Sequence, residues 1–146
     1  MKLFAAVIFY LTLGFIMEAA LAETTAERIS RCDGKNDEMG KCARDAFKQA
    51  DLDMNVAYRN LRLQYPKYLT NLNEQKGQPA IDLLKKSQLA WLKYRDRECD
   101  VVTAPKSGSP LFAFYSNACL ADLTEKRTID LTVNIPCEMD NSFCKN

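Results

Sequence analysis

The chain of 146 residues contains no histidine. That absence removes the Ser-His-Asp and Cys-His nucleophile systems and every metal site built on imidazole. Its cysteines offer no C-x-x-C pair in compensation, and thiolate metal sites need such tight spacings. An excess of charge of one sign is also lacking, since 20 Lys and Arg face 19 Asp and Glu, a formal net charge of +1. A total so close to zero gives no electrostatic argument for nucleic acid or for a membrane surface. Glycine and proline are sparse, at five each. Apolar–polar alternation, the mark of a half-buried strand, is nearly absent. The composition therefore points to a helical chain.

One long hydrophobic run is present. Lys2 is followed by apolar residues from Leu3 to Met17, broken only by Thr12 and Gly14. Ala20-Leu21-Ala22 then forms a small-x-small cleavage signal before the polar Glu23. Residues 1–22 read as a cleaved secretory signal peptide, because the run is short for a membrane span. No cysteine stands at the expected cut, so neither a lipid attachment nor another stable membrane anchor is expected. The mature chain starts at Glu23, forms one small domain, and is periplasmic or secreted.

The six cysteines, Cys32, Cys42, Cys99, Cys119, Cys137 and Cys144, all follow that signal. An even number in a secreted chain implies disulfides. Several pairings are possible. Chain order favours Cys32–Cys42, Cys99–Cys119 and Cys137–Cys144.

Residues 23–31 read as a flexible segment with the option of a short helix. The turn residues Asp33-Gly34-Lys35-Asn36-Asp37 follow. A first helix is expected over 37–65. Its apolar positions Ala43, Phe47, Ala50, Met54, Ala57 and Leu61 recur at alternating steps of four and three, and Pro66 is expected to stop or kink it. A second helix is expected over 79–102, with Ile81, Leu84 and Trp91 as its stripe, widened by Leu83, Ala90 and Tyr94. Thr103 to Pro110 is a loop bounded by prolines and holding Gly108. A third helix is expected over 111–131, with the stripe Phe112, Tyr115, Cys119, Leu123 and Thr124. Together they predict an all-α, three-helix up-down-up bundle over 32–133, stapled by disulfides. Residues 134–146 form a tail closed by Cys137–Cys144.

The segment from Gln88 to Cys99 holds the only tryptophan, Trp91. Gln88, Trp91 and Arg95 share one helical face, and polar groups brought into a core there must be paired. Asp51, Asn55 and Tyr58 flank the stripe of the first helix. Asp96 flanks that of the second, and Thr124 and Arg127 lie on the third. Arg95 is expected to reach Asp51, with Asn55 and Gln88 filling the remaining hydrogen bonds. Such a network fixes the register of a bundle. Catalysis by Asp51, Asp53, Asp96 or Glu98 is disfavoured, because Arg95 and Arg97 would lower a carboxyl pKa where a general acid needs it raised. No catalytic residue and no cofactor or metal is assigned. The 103–110 loop is the candidate contact surface, with Lys106 at its tip between Ser107 and Ser109. Its prolines reduce the cost of ordering on binding.

Taken together, Cys32, Cys42, Ala50-Asp51, Asn55, Tyr58 and Leu61, then Gln88, Trp91, Tyr94-Arg95-Asp96 and Cys99, then Cys119-Leu120, Leu123-Thr124 and Arg127 resemble the LprI-type lysozyme-inhibitor family of bacterial envelope proteins. The combination of Q-x-x-W, R-D-x-x-C, C-L and T-x-x-R spans residues 32–131. The resemblance implies a small helical envelope domain and, for at least one branch, inhibition of lysozyme; the missing histidine and the basic neighbours of the carboxylates add the expectation that the chain is not an enzyme. No nucleic-acid partner is expected, on the near-zero net charge. On the resemblance rests the expectation of an inhibitor that blocks the cleft of a c-type lysozyme. The rival readings are an envelope adaptor or immunity-type protein with a bacterial partner, and a cell-wall hydrolase using Asp51 or Asp96. The missing lipobox cysteine and the added Cys137–Cys144 tail depart from the family pattern.

Overall fold

The computed structural model describes residues 23–69 and 77–135. The expected signal peptide and the expected Cys137–Cys144 bridge lie outside the described residues. Four helices follow in order: α1 over Thr25–Ser30, α2 over Asn36–Leu69, α3 over Gly77–Thr103 and α4 over Phe112–Ile129. A 3-10 turn, Ala104–Lys106, follows α3, and a π-helical extension, Asp130–Asn134, continues α4. The three long helices run up, down and up, and no strand occurs among the described residues.

Helix α2 is the spine. Ala43, Ala46, Ala50, Met54, Ala57 and Leu61 are buried along one face, as a stripe of period 3.6 requires. Four alanines in that stripe let the neighbouring backbones come close. Met54, Ala57, Leu61, Leu84 and Leu131 form the central apolar cluster, with Tyr58, Trp91, Leu92 and Ile135 packed against it. Helix α4 is the most extensive neighbour of α2. At Gly40 a Cβ would stand 3.2 Å from the Cβ of Ala113, so this crossing depends on the missing side chain. It also places the first turn of α2 beside the start of α4. Helix α2 runs through Pro66 to Leu69, although that residue donates no N–H.

The other two stripes differ from expectation. On α3 the buried residues are Leu84, Gln88, Arg95, Cys99 and Thr103, while Leu83 and Tyr94 are exposed and so is Ala90. The paired polar side chains, described below, hold the inner face that apolar residues were expected to share. On α4 the buried residues are Ala121, Thr124 and Arg127, continued by Leu131, whereas Phe112 and Tyr115 are exposed. Small side chains face α2 here because the two helices approach closely.

Among the described residues two disulfides close the structure, Cys32–Cys42 and Cys99–Cys119. The first ties the α1–α2 turn to α2, and the second ties α3 to α4. Residues 23–31 hold more order than a flexible lead-in. Thr24 caps α1 by accepting from the Glu27 N–H at 3.2 Å, and Glu27 accepts in return from the Thr24 N–H at 2.8 Å. This reciprocal capping box satisfies two helix-end donors. The backbone donor at Thr24 is the main cause holding the Glu27 carboxyl below its ordinary pKa. Glu23 pairs with Arg28 and Arg31, and the Thr25 N–H donates to Glu125 on α4 at 2.9 Å. These contacts dock α1 on the bundle.

Candidate functional site

Two guanidinium groups flank Trp91. Arg95 stands 5.5 Å from its ring centroid and Arg127 stands 5.7 Å from it. Arg95 also lies 5.1 Å over the ring of Phe47. Each contact of this kind contributes about 0.5–2 kcal/mol, more where water is excluded. Trp91 and Arg95 are i, i+4 on α3, while Arg127 reaches across from α4.

The Arg95 side chain is only 9% exposed. It donates to Asp51 Oδ1 at 3.2 Å, to Thr124 Oγ1 at 3.3 Å and to Asp96 Oδ1 at 2.8 Å. Asn55 donates to Asp51 Oδ2 at 3.0 Å and to the Asp51 carbonyl at 2.7 Å. The cluster thus joins all three long helices. Its carboxylates open outward, with Asp51 at 38% and Asp96 at 59% side-chain exposure. A cation shared between two wetted carboxylates is a lock for helix register.

Gln88 departs from the expected wiring. Its carbonyl oxygen accepts from Arg127 Nε at 3.0 Å, and its amide donates to Met54 Sδ at 3.3 Å. It serves Arg127 rather than the Arg95–Asp51 pair, because the α3–α4 crossing puts position 88 level with 127. Tyr58 packs against the central apolar cluster. Arg127 is the less favourable of the two buried arginines. Its Nη2 is buried with no hydrogen-bond partner among the described residues. Burial pushes its pKa down, against the opposing charge of Asp130. Replacing a half-satisfied buried charge by apolar groups is commonly neutral or better. The double variant Arg127→Met/Gln88→Leu is therefore expected to unfold within about 1 kcal/mol of wild type. Arg127→Met alone, which strands the Gln88 oxygen, is expected to cost about 1–2 kcal/mol. Urea midpoints of the two variants check the order.

The 103–110 segment joins α3 to α4 at the end of the bundle that also holds the first turn of α2. Thr103 is buried and donates its hydroxyl to the Cys99 carbonyl at 2.6 Å. The Cys99–Cys119 bridge stands at the foot of the loop. Backbone bonds from Ser107 N–H to Ala104, from Ser109 N–H to Lys106 and from Phe112 N–H to Ser109 shape it, all within 2.9–3.0 Å. Gly108 takes φ +80°, with nothing within 4 Å of the position a Cβ would occupy, so glycine is needed there for its backbone alone. Lys106 is exposed and rests 5.3 Å over the ring of Tyr115. Ser109 is half-buried, and its Oγ accepts from the Leu111 N–H at 3.2 Å. Tyr115 as a shelf for Lys106 and Phe47 as a shelf for Arg95 are both missed by sequence reasoning, because each contact joins separate elements.

Comparison with known proteins adds an independent line. Residues 32–131 match the model of the family described as Lysozyme inhibitor LprI. The uncharacterized protein R02472 of Rhizobium meliloti (strain 1021) is 32% identical over 93 residues, which cover 62% of this chain and 66% of the relative. The uncharacterized protein YecT of Escherichia coli (strain K12) is 30% identical over 140 residues, covering 83% of this chain and 86% of the relative. No solved structure matches. Among the described residues no helix is long and apolar enough to cross a membrane. The disulfides indicate a location outside the cytoplasm. On this match, which takes in α2, α3 and α4 and both described disulfides, the chain belongs to the LprI family of lysozyme inhibitors.

Proposed function

We propose that this protein inhibits a c-type lysozyme in the periplasm or outside the cell, by seating the 103–110 loop in the glycan-binding cleft and blocking substrate sterically. The observation that carries this reading is Lys106, a cation on an ordered, disulfide-footed protrusion. A lysozyme cleft holds one protonated and one ionised carboxyl group, so a lone ammonium flanked by small hydroxyls suits it in charge and size. The resting contact of Lys106 with Tyr115 is an exposed cation–π pair, weak enough to be exchanged for a carboxylate. Ser109 accepts a backbone bond and keeps its proton to donate. The backbone bonds within the loop lower its ordering cost on binding.

Lysozymes of this class are basic, and a chain with net charge +1 gains no steering from its total. Exposed acids near the loop offer short-range contacts instead. Asp33, Asp37 and Glu38 are exposed, and the first turn of α2 lies at the loop end. Lys106→Ala is expected to weaken inhibition about tenfold, the size of one charge-assisted hydrogen bond. Titration of lysozyme activity with wild type, Lys106→Ala and Ser107→Ala measures it. Inhibition unchanged in both variants would remove the loop from the mechanism.

A further inference from the structure

The net charge of +1 conceals a strong asymmetry along the bundle. Residues 55–69 of α2 and 77–94 of α3 together contain six Lys and Arg against one Asp. These two stretches carry an excess of positive charge, and the rest of the chain, including Asp130 where α4 reaches the same end, carries an excess of negative charge. Arg59, Arg62 and Leu63 on α2 and Ile81 on α3 line one open cavity of about 460 Å³. One and two turns further along α3, Lys85 and Leu89 continue the line from Ile81 at i+4 and i+8. Leu63 is 74% exposed and Leu89 is 51% exposed. Arg59, Arg62 and Lys85 are exposed, and none of the three forms an ion pair among the described residues. Asp82, the acid nearest to Lys85 in sequence, is already engaged.

Three free cations beside exposed aliphatic side chains are the chemistry of a peripheral lipid contact. The cations meet headgroup phosphates and the aliphatic groups enter the interface. We infer that the α2–α3 end of the bundle docks reversibly on an anionic phospholipid surface. A basic lysozyme is repelled from this end, so the two partners do not compete. From Ile81 to Thr103 helix α3 rises about 33 Å. The 103–110 loop therefore lies about that far along the bundle from the contact and is not covered by it. The contact needs neither a membrane-spanning helix nor a lipid anchor, and it is salt-sensitive by construction.

Vesicle co-sedimentation of the oxidised protein tests the inference. Vesicles of phosphatidylcholine alone are compared with vesicles in which a third of the lipid is phosphatidylglycerol, at low and at high salt. Binding to the phosphatidylglycerol vesicles alone, lost at high salt, is expected. The triple variant Arg59→Gln/Arg62→Gln/Lys85→Gln is expected to lower partitioning about a hundredfold, at roughly a factor of five per cation. Leu63→Gln is expected to lower it severalfold through the lost apolar contact. Both variants change exposed side chains, and circular dichroism reports whether each keeps its helices. Equal binding to both vesicle types, no binding to either at low salt, or wild-type binding by both variants would overturn the inference. So would salt-insensitive self-association through this end, seen by sedimentation velocity. Because the test uses no lysozyme, its failure is separable from failure of the inhibitor reading.

Discussion

Replacing Cys99 and Cys119 together by alanine is expected to lower stability by about 3 kcal/mol, the chain-entropy value for a closed loop of this length. The bridge spans 20 residues and joins α3 to α4, so its loss frees the unfolded chain more than the folded one. Cys99 is also almost wholly buried, and alanine leaves a small void there. Cys32–Cys42 spans only 10 residues, and its removal is expected to cost somewhat less. The functional consequence differs more sharply than the energetic one. The Cys99–Cys119 bridge stands at the foot of the 103–110 loop, so its loss is expected to weaken lysozyme inhibition even where the bundle stays folded. Urea unfolding of the two double variants measures the stability order. A midpoint for the Cys99/Cys119 variant equal to wild type would contradict the account.

Arg95→Met is expected to cost about 3 kcal/mol, near the low end for breaking a buried ion pair from one side. The low end applies because its partners are not stranded equally. Asp51 and Asp96 are partly exposed and regain water when the guanidinium is gone. Thr124 is fully buried; it loses the Arg95 donor but keeps its bond to the Leu120 carbonyl at 2.6 Å. The stacks on Phe47 and Trp91 disappear as well. Asp51→Asn by contrast is expected to cost no more than about 1 kcal/mol, since the carboxylate is 38% exposed and its ion pair is solvent-screened. A double-mutant cycle on Arg95 and Asp51 gives the coupling directly. Equal losses from the two single variants would contradict the view that the buried guanidinium, not the surface carboxylate, holds the three helices in register.

These two residues also show how far pattern reading reaches. The α2 stripe is legible because its members are apolar and their spacing runs unbroken from Ala43 to Leu61. The Arg95–Asp51 pair follows from the positions of both residues on facing helix flanks. The burial of α3 is less legible. A count of apolar positions puts Leu83, Ala90 and Tyr94 inward, yet the inner face belongs to Gln88, Arg95 and Cys99. Periodicity weighs each residue by its own polarity and takes no account of a partner on another helix. For the same reason it does not show that Gln88 serves Arg127, because that depends on the axial offset between α3 and α4. The α4 stripe fails differently. Aromatic Phe112 and Tyr115 are strong apolar signals, but the close approach at Gly40 and Ala113 leaves room only for small side chains against α2. The capping box of α1 is readable in Thr24 and Glu27, whereas its docking on Glu125 is not, since that bond spans 100 residues.

For function, the decisive features are collective. A total charge of +1 describes neither end of this molecule. The loop end carries exposed Asp33, Asp37 and Glu38 together with Lys35, Lys41 and Lys106, and the far end carries free cations among exposed leucines. Only the helix order places 103–110 at one end of the bundle and Arg59, Arg62 and Lys85 towards the other.

The most direct measurement titrates the oxidised protein, residues 23–146, into a c-type lysozyme acting on a Gram-positive cell suspension and follows lysis by turbidity. The account predicts dose-dependent protection that saturates near one inhibitor per enzyme and weakens as salt is raised. A folded, helical preparation that leaves the rate of lysis unchanged at large molar excess would contradict it.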